Sequence, residues 1–262
     1  MGKRIRMKAV AVALLAFGGA QAASAAMHAT EEFEKGERRP MSIAFLPPHA
    51  MLIKQRIVKA EAQIEESGGL STHLSKSIAD HFTALGYDVR VLDPETVNAD
   101  PELQELVLDA DRRYAEMLTQ VRTKLPRQIA KRRYQAGDEM RVLAAKLGVD
   151  AIGFADMQIY AAAAGASAVS ILTGFGSSGS STMLSVSLID GRTAGIEAYF
   201  VPPVLRRGSV AGYDAIMADP AGKIAQITRL TLRDLPNADG SLRPVDSDDE
   251  DVLTDIEELL EE

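Results

Sequence analysis

Met41 to Leu46 (MSIAFL) is an apolar run that stops at Pro47 and Pro48, the pattern of a buried strand whose ladder the prolines end. Met51 to Glu66 mixes apolar with charged residues and reads as helical, punctuated by Gly68-Gly69. From Ser71, Leu74, Ile78, Phe82 and Leu85 recur every three to four residues, and Gly86 stands where a left-handed C-cap closes such a helix. Tyr87 to Leu92 (YDVRVL) alternates as a second strand, and Asp93-Pro94 turns out of it. A long helical region, 100–147, follows. Asp100 caps it with Pro101 at its first position, and Leu103, Leu106, Val107, Ala110, Tyr114, Met117, Leu118 and Val121 hold a helical stripe. Pro126 ends or kinks that helix. Further helix is predicted over Arg127 to Tyr134 and Asp138 to Leu147, with a break near Gly137 and closure at Gly148.

The third part is strand-rich. Ala151 to Tyr160 (AIGFADMQIY) and Thr182 to Ile189 (TMLSVSLI) read as strands, separated by the alanine-, glycine- and serine-rich stretch 161–181. Asp190-Gly191 opens a tight turn and Gly195 to Phe200 (GIEAYF) returns as a hairpin partner, stopped by Pro202-Pro203. Ile224, Ile227, Leu230, Thr231 and Leu235 then mark a closing helix over Gly222 to Leu235, ended by Pro236.

The amino terminus changes the expected compartment. Lys3, Arg4, Arg6 and Lys8 precede a short apolar stretch, Ala9 to Phe17, and Ala23-Ser24-Ala25 offers small residues for cleavage. Those are the three parts of a secretory signal peptide, so 1–25 is expected to be removed near Ala25 and the chain delivered to a bacterial periplasm. The expected plan is then a flexible segment 26–40, a single α/β domain 41–236 and an acidic tail 237–262. With 46% apolar and 25% charged residues the chain is that of a folded protein. It contains no cysteine, which excludes a thiolate metal site, a cysteine nucleophile and a lipid anchor.

Charge redistributes on cleavage. Loss of the four leader cations takes the formal charge from -8 to -12, and ten acids between Val245 and Glu262 leave only -2 on the body. The protein is thus a nearly neutral globule with an acidic tail, which does not support nucleic-acid binding. Arg122, Lys124, Arg127, Lys131, Arg132 and Arg133 gather in the helical region and read as its solvated side, the other reading being a face for an anionic partner.

The strand MSIAFLPP, the pair within TALGYDVRVL, the junction LAAKLGVDAIGFADMQIY, the hairpin LSVSLIDGRTAGIEAYF and the helix ending LRDLP together resemble the CsgG-like envelope proteins, relatives of the curli secretion channel subunit. That group includes penicillin-binding-protein activators and polysaccharide-export lipoproteins. The likeness spans about Met41 to Pro236 and is most specific over Leu143 to Tyr160. It implies a mixed β-sheet flanked by helices, a three-layer sandwich like an anticodon-binding domain, that acts as an assembly or docking module. Two departures stand out. The lipobox cysteine is missing, so the chain is expected to be soluble, and Ala194 replaces the hairpin glycine, with Tyr199 and Phe200 where the family carries tryptophan.

Candidate chemistry is sparse. Gly174, Gly176 and Gly179 spell GxGxxG, but serines and a strand follow where a dinucleotide loop needs a helix N-terminus. The stretch is read as a glycine-serine loop, or as a segment (161–181) that touches membrane or a neighbouring subunit, as the channel branch of the family does. His28, His49, His73 and His81 show no ligand spacing, and no GxSxG elbow occurs. Asp246, Asp248, Glu250 and Glu257 fall at EF-hand positions, yet Asp251 replaces the required glycine and Pro244 removes the entering helix. Val252, Ile256, Leu259 and Leu260 would share one face if the tail became helical on a partner; the other reading is an unstructured solubilising tail. No cofactor, metal or catalytic set is expected. The function expected is that of an exported, non-enzymatic accessory protein that docks on an envelope partner or self-associates, with peripheral outer-membrane association open. The alternatives are a periplasmic ligand-binding or enzymatic protein using the 174–181 loop, and an oligomeric outer-membrane secretion pore subunit.

Overall fold

A twelve-residue strand runs through the middle of the computed structural model, which describes residues 26–37, 39–55, 60–123, 134–162, 180–201 and 213–241. This strand, β6 (Ala151–Ala162), is paired on both edges. On one it runs antiparallel to β7 (Ser180–Asp190), from Ala151↔Asp190 to Ala161↔Ser180. On the other it is parallel first to β2 (Ser42–Phe45) and then to β3 (His49–Gln55). β8 (Ile196–Val201) and β1 (Ala26–Ala29) extend the sheet antiparallel beyond β7. β5 (Asp88–Val91) lies parallel beyond β2, and β4 (Ala60–Ala62) antiparallel beyond β3, giving one mixed sheet of eight strands.

Helices cover both faces, so the chain is a three-layer α/β sandwich. On one face α2 (Ile64–Ala84) and α7 (Pro220–Thr231) bury Leu74, Ile78, Phe82, Ile224 and Ile227 against Ile43, Phe45, Leu52, Met157, Ile159, Val186 and Leu188. On the other, α4 (Pro101–Thr123) and α5 (Asp138–Leu147) bury Leu103, Val107, Ala110, Met140 and Leu143 against Ala44, Leu46, Ile152, Phe154 and Ile189. Three short helices, α1 (Glu31–Glu34), α3 (Pro94–Ala99) and α6 (Tyr213–Ala218), add Phe33, Val97 and Ile216 to these two cores. The α2 core centres on Phe82, whose ring meets Phe45 at 5.0 Å and Tyr87 at 5.5 Å, both edge to face. Phe45 occupies the space over Gly153, where a Cβ would stand 2.5 Å from the ring.

Local chemistry sets the ends. Asp100 Oδ1 accepts from the N–H groups of Glu102 (3.0 Å) and Leu103 (3.1 Å), which fixes the start of α4. Gly148 closes α5 in the left-handed region, φ 67. The next polar residue, Asp150, joins three strands at their lower ends. Its carboxylate accepts from the N–H groups of Met41 and Ser42 and from Ser42 Oγ at 3.0–3.1 Å, while its carbonyl accepts from Gly191 N–H at 2.7 Å. Burial alone would raise the Asp150 carboxyl, but these bonds from Ser42 and Met41 outweigh it and hold the group below its ordinary value. Ala194, at the position of the family glycine, has φ 56, the left-handed conformation that favours glycine.

Pro47-Pro48 does more than end a strand. Three residues lie between Phe45 and His49, whereas two lie between their partners Gly153 and Asp156, so the prolines form a one-residue bulge beside a continuous β6. Because side chains alternate with period two, one extra residue exchanges the faces. In β2 the odd residues Ile43 and Phe45 enter the α2 core; in β3 the even residues Ala50 and Leu52 do so, and His49 and Met51 turn to the α4 face.

Several expectations are corrected. The stretch 51–66 is not one helix: it contains most of β3, then β4, and α2 begins only at Ile64. Ladder bonds to β6, which no local pattern records, decide this. Gly68 and Gly69 lie inside α2 on an open side, where a Cβ would meet nothing within 4 Å. The supposed flexible segment 26–40 contributes β1 and α1; Thr30 Oγ1 donates to Glu197 at 3.1 Å and Arg39 Nε to the Phe33 carbonyl at 3.1 Å. The break expected near Gly137, by contrast, is found: before α5 the Ala136 N–H donates to the Ala194 carbonyl at 2.7 Å and Gln135 bridges Gly195, while the helix expected over Arg127 to Tyr134 lies, but for Tyr134, outside the described residues. Asp93-Pro94 opens α3 as its cap rather than a plain turn. The expected tail begins later than 237, since Ala238 is buried and its N–H donates to Leu85 at 2.8 Å. Nearby the Tyr87 hydroxyl donates to the Pro236 carbonyl at 2.9 Å, and burial pushes that phenol up to about 12.

The bulge yields a direct test by urea unfolding followed by circular dichroism. Deleting Pro48 gives this stretch the same count as β6, so a regular ladder should keep Ala50 and Leu52 in the core and the cooperative transition should survive, whereas its loss would contradict the bulge. Pro48→Ala keeps the residue count and should cost about 1–2 kcal/mol.

Candidate functional site

The exchange of faces at Pro47-Pro48 places a polar row across the sheet. His49 pairs laterally with Asp156, and Asp156 with Ser185, all on the α4 face; the next row is Met51, Gln158 and Met183. Nearer the α5 end, the same face of β6 carries Phe154 and Ile152, which helices cover. The chemical change along β6, from Ile152 and Phe154 to Asp156 and Gln158, marks where the apolar layer stops.

Above this boundary α4 crosses the sheet. Tyr114 projects down from α4, stacks on Phe154 with ring centroids 3.8 Å apart at 12°, and shares a 2.7 Å hydrogen bond with Ser187 Oγ. One helical turn earlier Asp111 points beside it, and Ala115 and Leu118 follow on the same flank. Together with Leu46, Pro47, His49 and the β6 stretch from Phe154 to Gln158 they line a cleft of about 290 Å³. Its inner wall is apolar and aromatic; its mouth carries Asp111, Asp156, His49 and Gln158. Burial raises the Asp111 carboxyl above its ordinary value; His49 opposes the rise and Asp156 adds to it.

This arrangement is not a relay of the serine–histidine–acid kind. Such a relay needs the imidazole between hydroxyl and carboxylate, whereas here Asp156 stands between His49 and Ser185. No group of three or more potential ligands among the described residues is placed to hold a metal ion. What the cleft offers is two carboxylates from different elements beside a buried, stacked aromatic pair.

Residues singled out from sequence mostly lie elsewhere. Val252, Ile256, Leu259 and Leu260, the EF-hand-like acids, the glycines of the 174–181 loop and residues 1–25 are outside the described residues. So are 124–133, with most of the basic cluster, and 163–179 of the expected membrane or subunit contact; Ala161, Ser180 and Ser181 continue the β6–β7 ladder and Ala162 pairs with Gln55 of β3. His73 and His81 lie on α2 and His28 on β1, away from His49. Sequence reasoning missed Asp111 and Asp156. The available signal was a carboxylate inside an apolar strand, AIGFADMQIY, on the same parity as Phe154.

No family model matches the chain, and no curated protein is similar to it. Among solved structures it is similar to the PelC dodecamer of Paraburkholderia phytofirmans, at 9% identity and a TM-score of 0.29, over 72% of this chain and 87% of that one. A likeness at that level carries no functional inference.

Asp111 supplies a pH test. Its folded-state carboxyl is raised, so the native state binds more protons than the unfolded chain just above the ordinary carboxylate value, and stability falls as pH rises through that window. Asp111→Asn removes the cost of the buried charge. Its melting temperature should exceed that of the parent at pH 7, with the gain disappearing near pH 4, as read by scanning calorimetry across pH.

Proposed function

We propose that this chain is an exported, non-enzymatic accessory protein of the bacterial envelope, one α/β domain that docks on a partner or on its own copies to support assembly or secretion of a surface component. The observation that carries the reading is the outer strip of the α4 face. There the paired strands β3, β6 and β7 continue past the stacked Tyr114 and Phe154, and present exposed His49, Met51 at 46% exposure, and half-buried Asp156, Gln158 and Met183. Long unbranched methionines among hydrogen-bonding side chains make an adaptable contact surface. A backbone already paired on both edges of β6 holds that surface rigid, so docking orders little chain.

Two features of the sequence support the cellular side of the reading: the three-part leader in 1–25, and the resemblance of Met41 to Pro236 to CsgG-like assembly modules. No helix among the described residues is long and apolar enough to cross a membrane. Residues 242–262, with the acids and Val252, Ile256, Leu259 and Leu260, supply a second contact segment in this reading.

Fractionation of cells making the full chain, with cross-linking and mass spectrometry, tests the proposal. It predicts a shortened chain in the periplasm, cross-linked in a discrete complex that Met51→Asp or Met183→Asp weakens without loss of fold. An uncleaved cytoplasmic chain, or a periplasmic monomer with no cross-linked species, would contradict it.

A further inference from the structure

We propose that the outer edge of β5 pairs with the same edge of a second copy of this chain, antiparallel and across a two-fold axis at Val89. The pairing uses a sheet edge and none of the residues of the α4-face strip, so it stands apart from the docking reading.

β5 ends the sheet on the β2 side, and among the described residues it pairs with β2 only. Asp88 N–H donates to the Met41 carbonyl at 2.9 Å and Leu92 N–H to the Phe45 carbonyl at 2.8 Å. Backbone groups alternate in direction along a strand, so Val89 and Val91 turn their N–H and C=O groups outward. An open row of this kind is a template for another strand. The side chains of Val89 and Val91 are half-buried against the α2 core, whereas Asp88 and Arg90 are exposed on the opposite face. Arg90 Nη2 donates to the Leu147 carbonyl at 2.6 Å, which holds the guanidinium at the end of α5 and leaves its other N–H groups for a carboxylate. Among the described residues neither Asp88 nor Arg90 has an ion-pair partner within the chain.

The order of these charges identifies the partner and the register. A two-fold axis at Asp88 sets that carboxylate against its own copy, and an axis at Arg90 does the same to the guanidinium; like charges directly opposite are destabilising. An axis at Val91 sets Asp88 opposite Pro94, which has no N–H to give. An axis at Val89 joins that residue to its copy through both outward backbone groups. It also sets Asp88 opposite Arg90 of the second copy, and Arg90 opposite its Asp88. Those two are non-hydrogen-bonded pairs, with Cα atoms about 4.5 Å apart, the closer of the antiparallel spacings. A strand of one charge sign would leave Asp88 or Arg90 unmatched, whereas self-complementarity is what an interface between identical edges requires.

Sedimentation equilibrium of the full chain as recovered from cells, over about 1 to 300 µM, reads the association. A reversible dimer is expected, weak because a four-residue edge buries little surface. Asp88→Arg and Arg90→Asp each turn both pairs into like charges and should weaken it about tenfold or more. The two substitutions in one chain restore opposite charges in this register and should recover the parent association. Val89→Pro removes an outward N–H but no bond to β2, so it should abolish the dimer while circular dichroism shows the parent fold. In this cysteine-free chain Val89→Cys should give a disulfide-linked dimer on mild oxidation, since Val89 meets its copy at about 5.5 Å between Cα atoms. Met51→Asp and Met183→Asp leave the edge intact and should not change the association. A monomer at every concentration, single charge variants that associate as the parent does, a double variant that stays weak, or a dimer lost with Met51→Asp would each overturn the proposal.

Discussion

One residue too many between β2 and β3, counted against the uninterrupted β6, is the constraint on which the polar end of the α4 face depends. Had the chain alternated regularly over the four steps from Phe45 to His49, His49 and Met51 would enter the α2 core and Ala50 and Leu52 would face α4; the bulge absorbs the extra residue and reverses this. Two prolines suit this place. Neither can donate to the ladder, so neither leaves an unpaired N–H where the bulge breaks pairing. The same residues that end one strand therefore aim the next.

β6 links that local event to the whole fold. Its lower half is held by Asp150, which ties the starts of β2 and β6 to the β7–β8 turn, and is covered on both faces by apolar side chains. Its upper half keeps its backbone bonds to β3 and β7 but changes chemistry on one face, from Phe154 to Asp156 and Gln158. Buried apolar packing and polar side chains are thereby separated along one face of a single strand. The lower half carries burial, and the upper half presents groups that burial would penalise. Tyr114 stands at the division, its ring on Phe154 and its hydroxyl on Ser187.

What could be read from the sequence follows from this division. Elements with a strong period and chemical punctuation were legible: α4 from Asp100-Pro101, α5 up to Gly148, the β7–β8 hairpin through Asp190-Gly191, and the helix before Pro236. β3, β4 and β1 were not, because their stability comes from partners distant in sequence. β1 finds β8 across about 170 residues, and its local composition gives no hint of that pairing. The cleft was illegible for a similar reason. Asp111 and Asp156 lie on different elements, and only the crossing of α4 over β6 brings them together. Asp156 alone carried a trace, as a carboxylate in an otherwise apolar run.

The proposed docking strip begins at the mouth of the cleft, where the two share His49, Asp156 and Gln158, and extends from there to Met51 and Met183. Site-specific photo-cross-linking in cells tests the strip most directly. A benzophenone side chain at Met51 or Met183 should give one discrete adduct, whereas the same probe at Lys76, on the exposed side of α2, should give none. Adducts at Lys76 with none at Met51 or Met183 would contradict the assignment of this face to recognition.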